Sequence, residues 1–387
     1  MRVHWIWLDM FQKITVDQKL KLLSYFGDPE SLYNADARAL KAIGFITPAV
    51  LEHLLDKNLE EAYKRLTACE QESIGFITYT DSSYPARLRG IADPPLILYY
   101  KGRLPDFESK PIIGVVGTRD ATPRGLTAAE NLSGQIAACG GIVVSGGALG
   151  IDAQALRGAC KAGMPTVTVM AGGLDRLYPK ENIKLFDELC ADGCLISEYP
   201  PGSRPFKGNF LRRNRLISGM SNGVLVVEAP ARSGALNTAD WASRQGKELF
   251  VVPGPVGAPE CAGSNGLLED GARVAVSGWS VMQVYAKRYS RTVRQAEFTP
   301  RREVNERKVD KKDIDKPSSS AYSVIEKPLP PMNAQEQLIA DRLRDGPQLS
   351  HALASDLDMD TGTVMRLLTV MTMKGIVEIN GSKVKLK

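Results

Sequence analysis

Six short, continuous apolar segments alternate with helical stretches between residues 111 and 285, and this alternation constrains the fold more than any other feature. The segments are Ile112–Val116, Ile142–Ser145, Thr166–Met170, Cys194–Ser197, Val224–Glu228 and Leu249–Val252, and the clearest helical stretches are Leu126–Cys139, Ala153–Ala162 and Asn237–Arg244. Strands that are buried on both faces of a parallel sheet have such continuous apolar sequences. The alternation therefore predicts an α/β fold with a doubly wound parallel sheet, whose ligands bind beyond the carboxyl ends of the strands.

Three further regions flank this sheet. Residues 1–75 show helical apolar spacing, with Ile43-Gly44 between two helices as in a helix-hairpin-helix or SAM-like domain, although any tight helix–helix turn favours glycine. Residues 76–286 form the α/β domain, and 334–387 predict three helices and a hairpin, typical of a winged helix or a protein-contact module. Residues 287–333 are expected to be a basic flexible linker, either a solvated tether or an arm that holds nucleic acid.

The composition excludes several classes of protein. With 43% apolar and 24% charged residues, the chain is neither wholly disordered nor collagen-like. Apolar runs fall short of the roughly 18 residues of a membrane span, and the N-terminus shows no cleavable signal. Six cysteines without paired spacing predict reduced thiols, a cytoplasmic location and no metal site. The whole net charge of +5 equals that of residues 287–316, which hold 11 cations and 6 acids.

Two glycine-containing loops follow the first two predicted parallel strands. Gly117-Thr118-Arg119 precedes a helix that contains Gly125, and Ser145-Gly146-Gly147 leads through Gly150 into the next helix. Glycine lets the backbone approach an anion, a helix N-terminus supplies free amides, and an arginine adds donors for phosphate oxygens. Tight turns in a well-packed domain would use the same residues. Ser233-Gly234, after the fifth strand, is expected either to cap a helix or to contact phosphate.

A cationic segment follows the fourth strand. Residues 204–215 contain five cations, no acid and two aromatic rings, Phe206 and Phe210. Cations that follow phosphates and rings that stack on bases hold single-stranded nucleic acid without sequence choice. The alternative is a solvated loop, but the charge density favours nucleic acid.

Catalytic groups are scarce in the predicted α/β domain. The three histidines, at positions 4, 53 and 351, all lie outside it, which excludes a Ser-His-Asp or Cys-His arrangement there. Asp152 and Glu228 are the best carboxylate candidates, although Asp152 also suits the dipole of a helix start. We expect no enzyme activity and no cofactor.

Five motifs in chain order resemble the DNA-processing protein A (DprA/Smf) family. They are Gly117-Thr118-Arg119, Ser145 to Asp152, Gly172 to Pro179, Phe210 to Arg215, and Ser233-Gly234-Ala235. The resemblance implies an extended Rossmann-like domain that binds single-stranded DNA, usually as a dimer. It further implies delivery of imported single strands to the RecA recombinase in natural transformation and recombination.

The resemblance also assigns residues. It implies that Arg119 contacts DNA phosphate, and that Lys180, Lys207 and Phe210 match residues of the DNA pocket. Gly147 and Leu211 stand where the family usually has leucine and proline. The expected DNA-binding set is Gly117, Thr118, Arg119, Gly125, Ser145, Gly146, Gly147, Gly150, Lys180, Lys207, Asn209, Phe210, Arg212, Arg213, Asn214, Arg215, Ser233 and Gly234.

The sequence disfavours two other functions. Phosphoribohydrolases of the lysine-decarboxylase-like type carry P-G-G-x-G-T-x-x-E, but residues 231–239 lack that glutamate. A regulator that binds double-stranded DNA through the winged helix is disfavoured because residues 334–387 hold seven cations and seven acids.

Overall fold

The computed structural model of the chain describes residues 2–11, 13–298, 333–343, 348–357, 359–374, 376–380 and 383–386. These residues fall into two compact units, which divide at residue 305. Residues 2–298 are called the α/β unit below, and residues 333–386 the C-terminal unit.

A nine-stranded sheet forms the centre of the α/β unit. Its strands are β1 (Gly75–Thr78), β2 (Ile97–Gly102), β3 (Ile112–Val116), β4 (Ile142–Ser145), β5 (Thr166–Val169), β6 (Cys194–Ser197), β7 (Gly223–Val226), β8 (Glu248–Val251) and β9 (Arg273–Val274). Their order across the sheet is β1-β2-β6-β5-β4-β3-β7-β8-β9. The seven strands from β6 to β9 in this order are parallel, whereas β1 and β2 join one edge antiparallel. All six predicted strands are therefore confirmed, and β1, β2 and β9 are additions to the prediction.

Alternate side chains of the central parallel strands β4, β3 and β7 enter different cores. On β3, Ile113 and Val115 pack in one core, while Ile112 and Val116 pack in the core on the other face. Burial on both faces explains why these strands are apolar throughout.

Fourteen helices surround the sheet in the described part of the α/β unit. They are α1 (Arg2–Met10), α2 (Val16–Phe26), α3 (Pro29–Asn34), α4 (Ala37–Lys41), α5 (Pro48–Leu55), α6 (Glu60–Gln71), α7 (Ala86–Arg89), α8 (Pro123–Ala138), α9 (Ile151–Lys161), α10 (Ile183–Leu189), α11 (Lys207–Met220), α12 (Gly234–Arg244), α13 (Ala262–Glu269) and α14 (Gly278–Met282). The three helices predicted between strands are α8, α9 and α12.

The N-terminal helices share a core with the sheet domain. Leu22, Leu32 and Leu54 belong to the same buried cluster as Leu156 of α9 and Phe186 of α10. The domain boundary at residue 75 stays a prediction, as does the helix-hairpin-helix or SAM-like assignment.

The segment predicted to be a linker from residue 287 starts as part of the α/β unit. Tyr289 and Val293 are buried in the core with Tyr285, and the Arg294 amide donates to the Cys139 carbonyl at 3.3 Å. The prediction was wrong for residues 287–298 because the aromatic and aliphatic side chains between the cations pack inward. The rest of the predicted linker, up to residue 332, lies outside the described residues.

The C-terminal unit contains three helices and a three-stranded sheet. The elements are α15 (Ala334–Leu343), β10 (Gln348–Leu349), α16 (Ser350–Asp356), α17 (Thr361–Met373), β11 (Val377–Asn380) and β12 (Lys383–Leu386), with sheet order β10-β12-β11. The Asp360 carboxylate caps α17, because it accepts a hydrogen bond from the Thr363 amide at 3.0 Å. Residues 381 and 382, between the two strands of the predicted hairpin, lie outside the described residues.

Across the described ranges, no helix combines the length and the apolar character that a membrane crossing requires.

The first testable prediction concerns Asp9, near the C-terminal end of α1. Burial raises the pKa of Asp9 from 3.8 to about 6, and the nearby Lys19 cation opposes this effect. A carboxyl whose pKa is raised on folding stabilises the fold below the unfolded pKa and loses that contribution as the pH rises through the folded pKa. Asp9→Asn should therefore gain stability over the parent between pH 4 and pH 7, by at most ~3 kcal/mol. Urea unfolding at a series of pH values measures this difference; a difference independent of pH would contradict the assignment.

Candidate nucleic-acid interface

A cleft of about 690 Å³ opens beyond the carboxyl ends of the parallel strands. It lies where the chain reverses direction across the sheet, because β4 and β7 flank β3 on opposite sides. Residues after β3 and β7 and the first turns of α11 line it. Doubly wound sheets bind ligands at this position.

Nine of the eighteen predicted site residues line the cleft. They are Gly117, Thr118, Arg119, Lys207, Phe210, Arg213, Asn214, Ser233 and Gly234. The other nine, which are Gly125, Ser145, Gly146, Gly147, Gly150, Lys180, Asn209, Arg212 and Arg215, are not among its lining residues.

An exposed cation and two rings meet at one side of the cleft. The Arg119 guanidinium carbon lies 5.3 Å from the centre of the Phe210 ring. Tyr178 meets the same ring edge-on, with ring centres 5.8 Å apart. Arg119 follows β3, whereas Phe210 lies in the first turn of α11, whose first residue is the exposed Lys207. A cation beside exposed rings can contact a phosphate while a base stacks on a ring.

Arg213 plays a different part from Arg119. Its side chain is only 4% exposed, and Nη1 donates to the Gly146 carbonyl at 2.7 Å and to the Val169 carbonyl. Burial lowers the pKa of Arg213 to about 10, while the Asp152 carboxylate opposes that change. Burial likewise raises the pKa of Asp152, against the effect of Arg213. Arg213 thus supports the cleft through buried hydrogen bonds to the backbone.

Arg212 and Arg215 are engaged by acids from outside the cationic segment. Arg215 donates to both Glu198 carboxylate oxygens, at 3.1 and 2.7 Å, and is buried. Arg212 donates to Asp93 at 3.0 Å. Four of the five cations of this segment belong to the predicted site: Lys207, Arg212, Arg213 and Arg215. The fold brings acids to the three arginines, because Asp93, Asp152 and Glu198, which lie outside residues 204–215, are near them.

Groups of the chain itself accept hydrogen bonds from the second glycine loop, residues 145–150. The amides of Gly146 and Ala148 donate to Asp152 Oδ2 at 3.1 and 3.4 Å. Gly147 and Gly150 have positive φ angles of 66° and 76°, which favour glycine, and the Ser145 hydroxyl donates to the Val115 carbonyl. The Gly146 amide is therefore occupied by a carboxylate of the chain itself, which corrects its prediction as a phosphate donor.

The remaining predicted residues also have structural partners, except one. A Cβ on Gly125 would lie 2.5 Å from Glu228 Oε2, and the Asn209 amide group donates to the Ala171 carbonyl at 3.1 Å. The Ser233 hydroxyl caps α12 by accepting from the Ala235 amide at 3.2 Å. Capping is one of the two roles that the sequence predicts for Ser233. Lys180 is exposed at the start of a 3-10 turn after Pro179.

Three of the lining residues outside the predicted set carry a ring or a cation that can contact a ligand: Tyr178, Phe206 and Arg232. Tyr178 is 47% exposed although it is aromatic, and it belongs to the third motif of the resemblance. Phe206, a ring of the cationic segment, is 63% exposed. In the described part of the chain, no group of histidine, cysteine and carboxylate side chains is arranged to hold a metal ion.

A family model for the DNA recombination-mediator protein A matches residues 75–286, more than half of the chain. The chain belongs to this family. Protein Smf of Synechocystis is 37% identical over 261 residues, which cover 66% of this chain and 66% of that protein. The DNA processing protein DprA of Bacillus subtilis is 36% identical over 252 residues, which cover 65% of this chain and 84% of that protein.

Two solved structures share this fold. DprA from Streptococcus pneumoniae superposes with a TM-score of 0.64 and 32% identity, covering 73% of this chain and 98% of that one. DprA from Helicobacter pylori superposes with a TM-score of 0.51 and 32% identity, covering 55% of this chain and 97% of that one, and is described for its single-stranded DNA binding mode. The resemblance inferred from the five motifs is thereby confirmed.

The second prediction separates Arg213 from the exposed cations. Arg213→Ala leaves the buried Gly146 and Val169 carbonyls without this donor, so we expect the free energy of unfolding to fall by about 2–4 kcal/mol. Lys207→Ala is the matched control, because it removes an exposed cation from the same helix and should change stability by less than about 0.5 kcal/mol. Urea denaturation measures both. Equal stability of the two variants would remove Arg213 from its structural role.

Proposed function

We propose that this recombination mediator binds single-stranded DNA across the cleft and delivers it to RecA in natural transformation and homologous recombination. The observation that carries the proposal is the contact between Arg119 and Phe210, an exposed cation over a ring at the switch point of the sheet. The single-stranded DNA binding mode described for the Helicobacter relative supports it.

The cleft suits a flexible single strand better than a duplex. Its rings, Tyr178, Phe206 and Phe210, offer flat surfaces to unpaired bases, and every base can stack regardless of sequence. A duplex hides those base faces. We therefore assign Phe210 and its neighbours to base stacking.

The phosphates are assigned to exposed side chains. Arg119, Lys207 and Arg232 line the cleft, and Lys180 is exposed on the turn that follows Tyr178. Cations spaced along a groove bind a polyanion by releasing its counterions. Gly117, Thr118, Ser233, Gly234 and Asn214 shape the walls between these cations.

The assembly is proposed at a coarser level. A homodimer and a RecA contact follow from the family resemblance, as does a cytoplasmic location, where imported strands meet RecA. The proposed domains are a helical domain of residues 1–75, a DNA-binding domain of residues 76–286 and a winged helix of residues 334–387, with the basic linker reduced to residues 299–332.

A role for the winged helix in duplex binding gains no support from its charges. Lys374, at the end of α17, donates to the buried Glu336 at 2.7 Å, so this cation is paired inside the unit. The enzyme alternative gains none either, since Thr238 and Ala239 stand near the end of the stretch where a phosphoribohydrolase needs glutamate. We propose no catalytic activity.

The third prediction tests the two kinds of DNA contact. Arg119→Ala and Lys207→Ala each remove one phosphate contact, so the slope of log affinity against log salt for oligo-dT should fall by about 0.7. Phe210→Ala should weaken binding by about 1–3 kcal/mol and leave that slope unchanged, because stacking releases no counterion. Fluorescence anisotropy titrations at several salt concentrations measure both quantities.

Lys64→Ala is the control for these variants. Lys64 is an exposed cation on α6, paired with Glu60 at 2.8 Å and absent from the cleft lining. It should bind oligo-dT like the parent. Parental affinity and slope in both Arg119→Ala and Lys207→Ala would overturn the site.

The fourth prediction concerns the tail. A chain that ends at residue 298 keeps the packed Tyr289 and Val293, so the α/β unit should fold and retain most of the affinity for oligo-dT. The same titration compares it with the full chain. A loss of several kcal/mol would place the main DNA contact in residues 299–387.

A further inference from the structure

A carboxylate from another part of the chain contacts the N-cap residue of α8, Thr122. Glu228, two residues beyond β7 and only 3% exposed, accepts from the Thr122 amide at 2.8 Å and from the Thr122 hydroxyl at 2.6 Å. The Thr122 hydroxyl oxygen accepts in turn from the Gly125 amide at 3.1 Å, and Pro123 has no amide to offer. The absence of a side chain at Gly125 allows this approach, since a Cβ there would meet Glu228 Oε2 at 2.5 Å.

A second carboxylate accepts from the amides of the loop that leads into α9. Asp152, in the first turn and 6% exposed, accepts from the amides of Gly146 and Ala148. The two carboxylates thus contact the loops that follow the neighbouring strands β3 and β4. These loops lie at the edge formed by the carboxyl ends of the parallel strands, which is called the crest below. The two loops are also joined, because the Ile151 amide donates to the Thr118 carbonyl at 3.2 Å.

These amide groups are the ones that doubly wound sheets offer to nucleotide phosphates. A carboxylate resembles one edge of a phosphate, because it carries negative charge on two acceptor oxygens. It also repels a second anion in a site of low dielectric constant. Phosphate contacts are thereby left to side chains that reach out from the crest, such as Arg119 and Lys207.

We propose that Glu228 and Asp152 determine ligand class by occupying amide and hydroxyl donors of the loops that lead into α8 and α9, which excludes inorganic phosphate, mononucleotides and dinucleotides from the crest. The proposal deepens the function proposed above and rests on it in one respect: the excluded ligands are the small competitors of single-stranded DNA. A mononucleotide needs several hydrogen-bond donors around one phosphate group. A DNA strand binds instead through many phosphates, each held by a separate exposed cation.

Glu228→Ala tests the exclusion in the full-length protein. The variant frees the Thr122 amide and hydroxyl beside the cleft, so inorganic phosphate should raise its thermal midpoint by about 2–4 °C more than an equal ionic strength of chloride. The parent should show no such difference. Glu228→Gln keeps the volume of the side chain and should remain closed to phosphate.

Asp240→Ala is the matched control for lost negative charge. Asp240 is an exposed acid on α12, paired with Arg244 at 3.0 Å, and its removal should produce no phosphate-specific shift. A parent that is stabilised by phosphate as much as Glu228→Ala would overturn the proposal. So would a folded Glu228→Ala that does not respond to phosphate.

A competition experiment on the parent keeps the proposal falsifiable if Glu228→Ala does not fold. AMP at millimolar concentration should not displace labelled oligo-dT beyond the effect of matched salt, and isothermal titration of AMP into the parent should give no specific heat. Specific binding of AMP would overturn the exclusion. Absence of oligo-dT binding would contradict the proposed function instead, and the AMP and phosphate titrations would still decide the exclusion separately.

Discussion

The cleft depends on one buried cation, the guanidinium of Arg213. It donates to the carbonyls of Gly146 and Val169, which follow or end the neighbouring strands β4 and β5. Negative charge nearby favours a buried guanidinium, and the Asp152 carboxylate, which accepts from the Gly146 amide, opposes the fall in the pKa of Arg213 that burial causes. This arrangement fixes the middle of α11 against the sheet. Because a helix is stiff, the first turn of α11 then holds Lys207 and Phe210 at the cleft.

The cations around the cleft therefore divide into two groups by burial. Arg213 and Arg215 are buried and have carboxylates near them, so each is part of the structure beneath the cleft. Lys207 and Arg119 remain exposed, where they can bind phosphate at little desolvation cost. The density of charge along the sequence counts the buried and the exposed cations together. Only the fold separates the cations that build the cleft from those that face a ligand.

The parallel sheet could be predicted because strands buried on both faces have an unmistakable composition. All six predicted strands exist, with ends within two residues of the prediction. Strands β1 and β2 lie outside the alternating β and α region, and β9 has two exposed residues, so no apolar run signals it. The order of motifs likewise predicted the cleft, where nine of the predicted residues meet. Tyr289 and Val293 were missed because their apolar signal is diluted by surrounding cations.

The glycine loops show why the rest could not be predicted. A turn of glycines before a helix can expose amides to a phosphate or close them over a carboxylate, and the local sequence is the same in both cases. The acid that decides this at the start of α8 is Glu228, which follows β7 and lies 106 residues from Thr122 in the sequence. Adjacent strands β3 and β7 bring the two together because the chain crosses the sheet at this point. The switch point that opens the cleft thus also supplies the carboxylate beside it, so the topology sets both where a ligand enters and which amides it is denied.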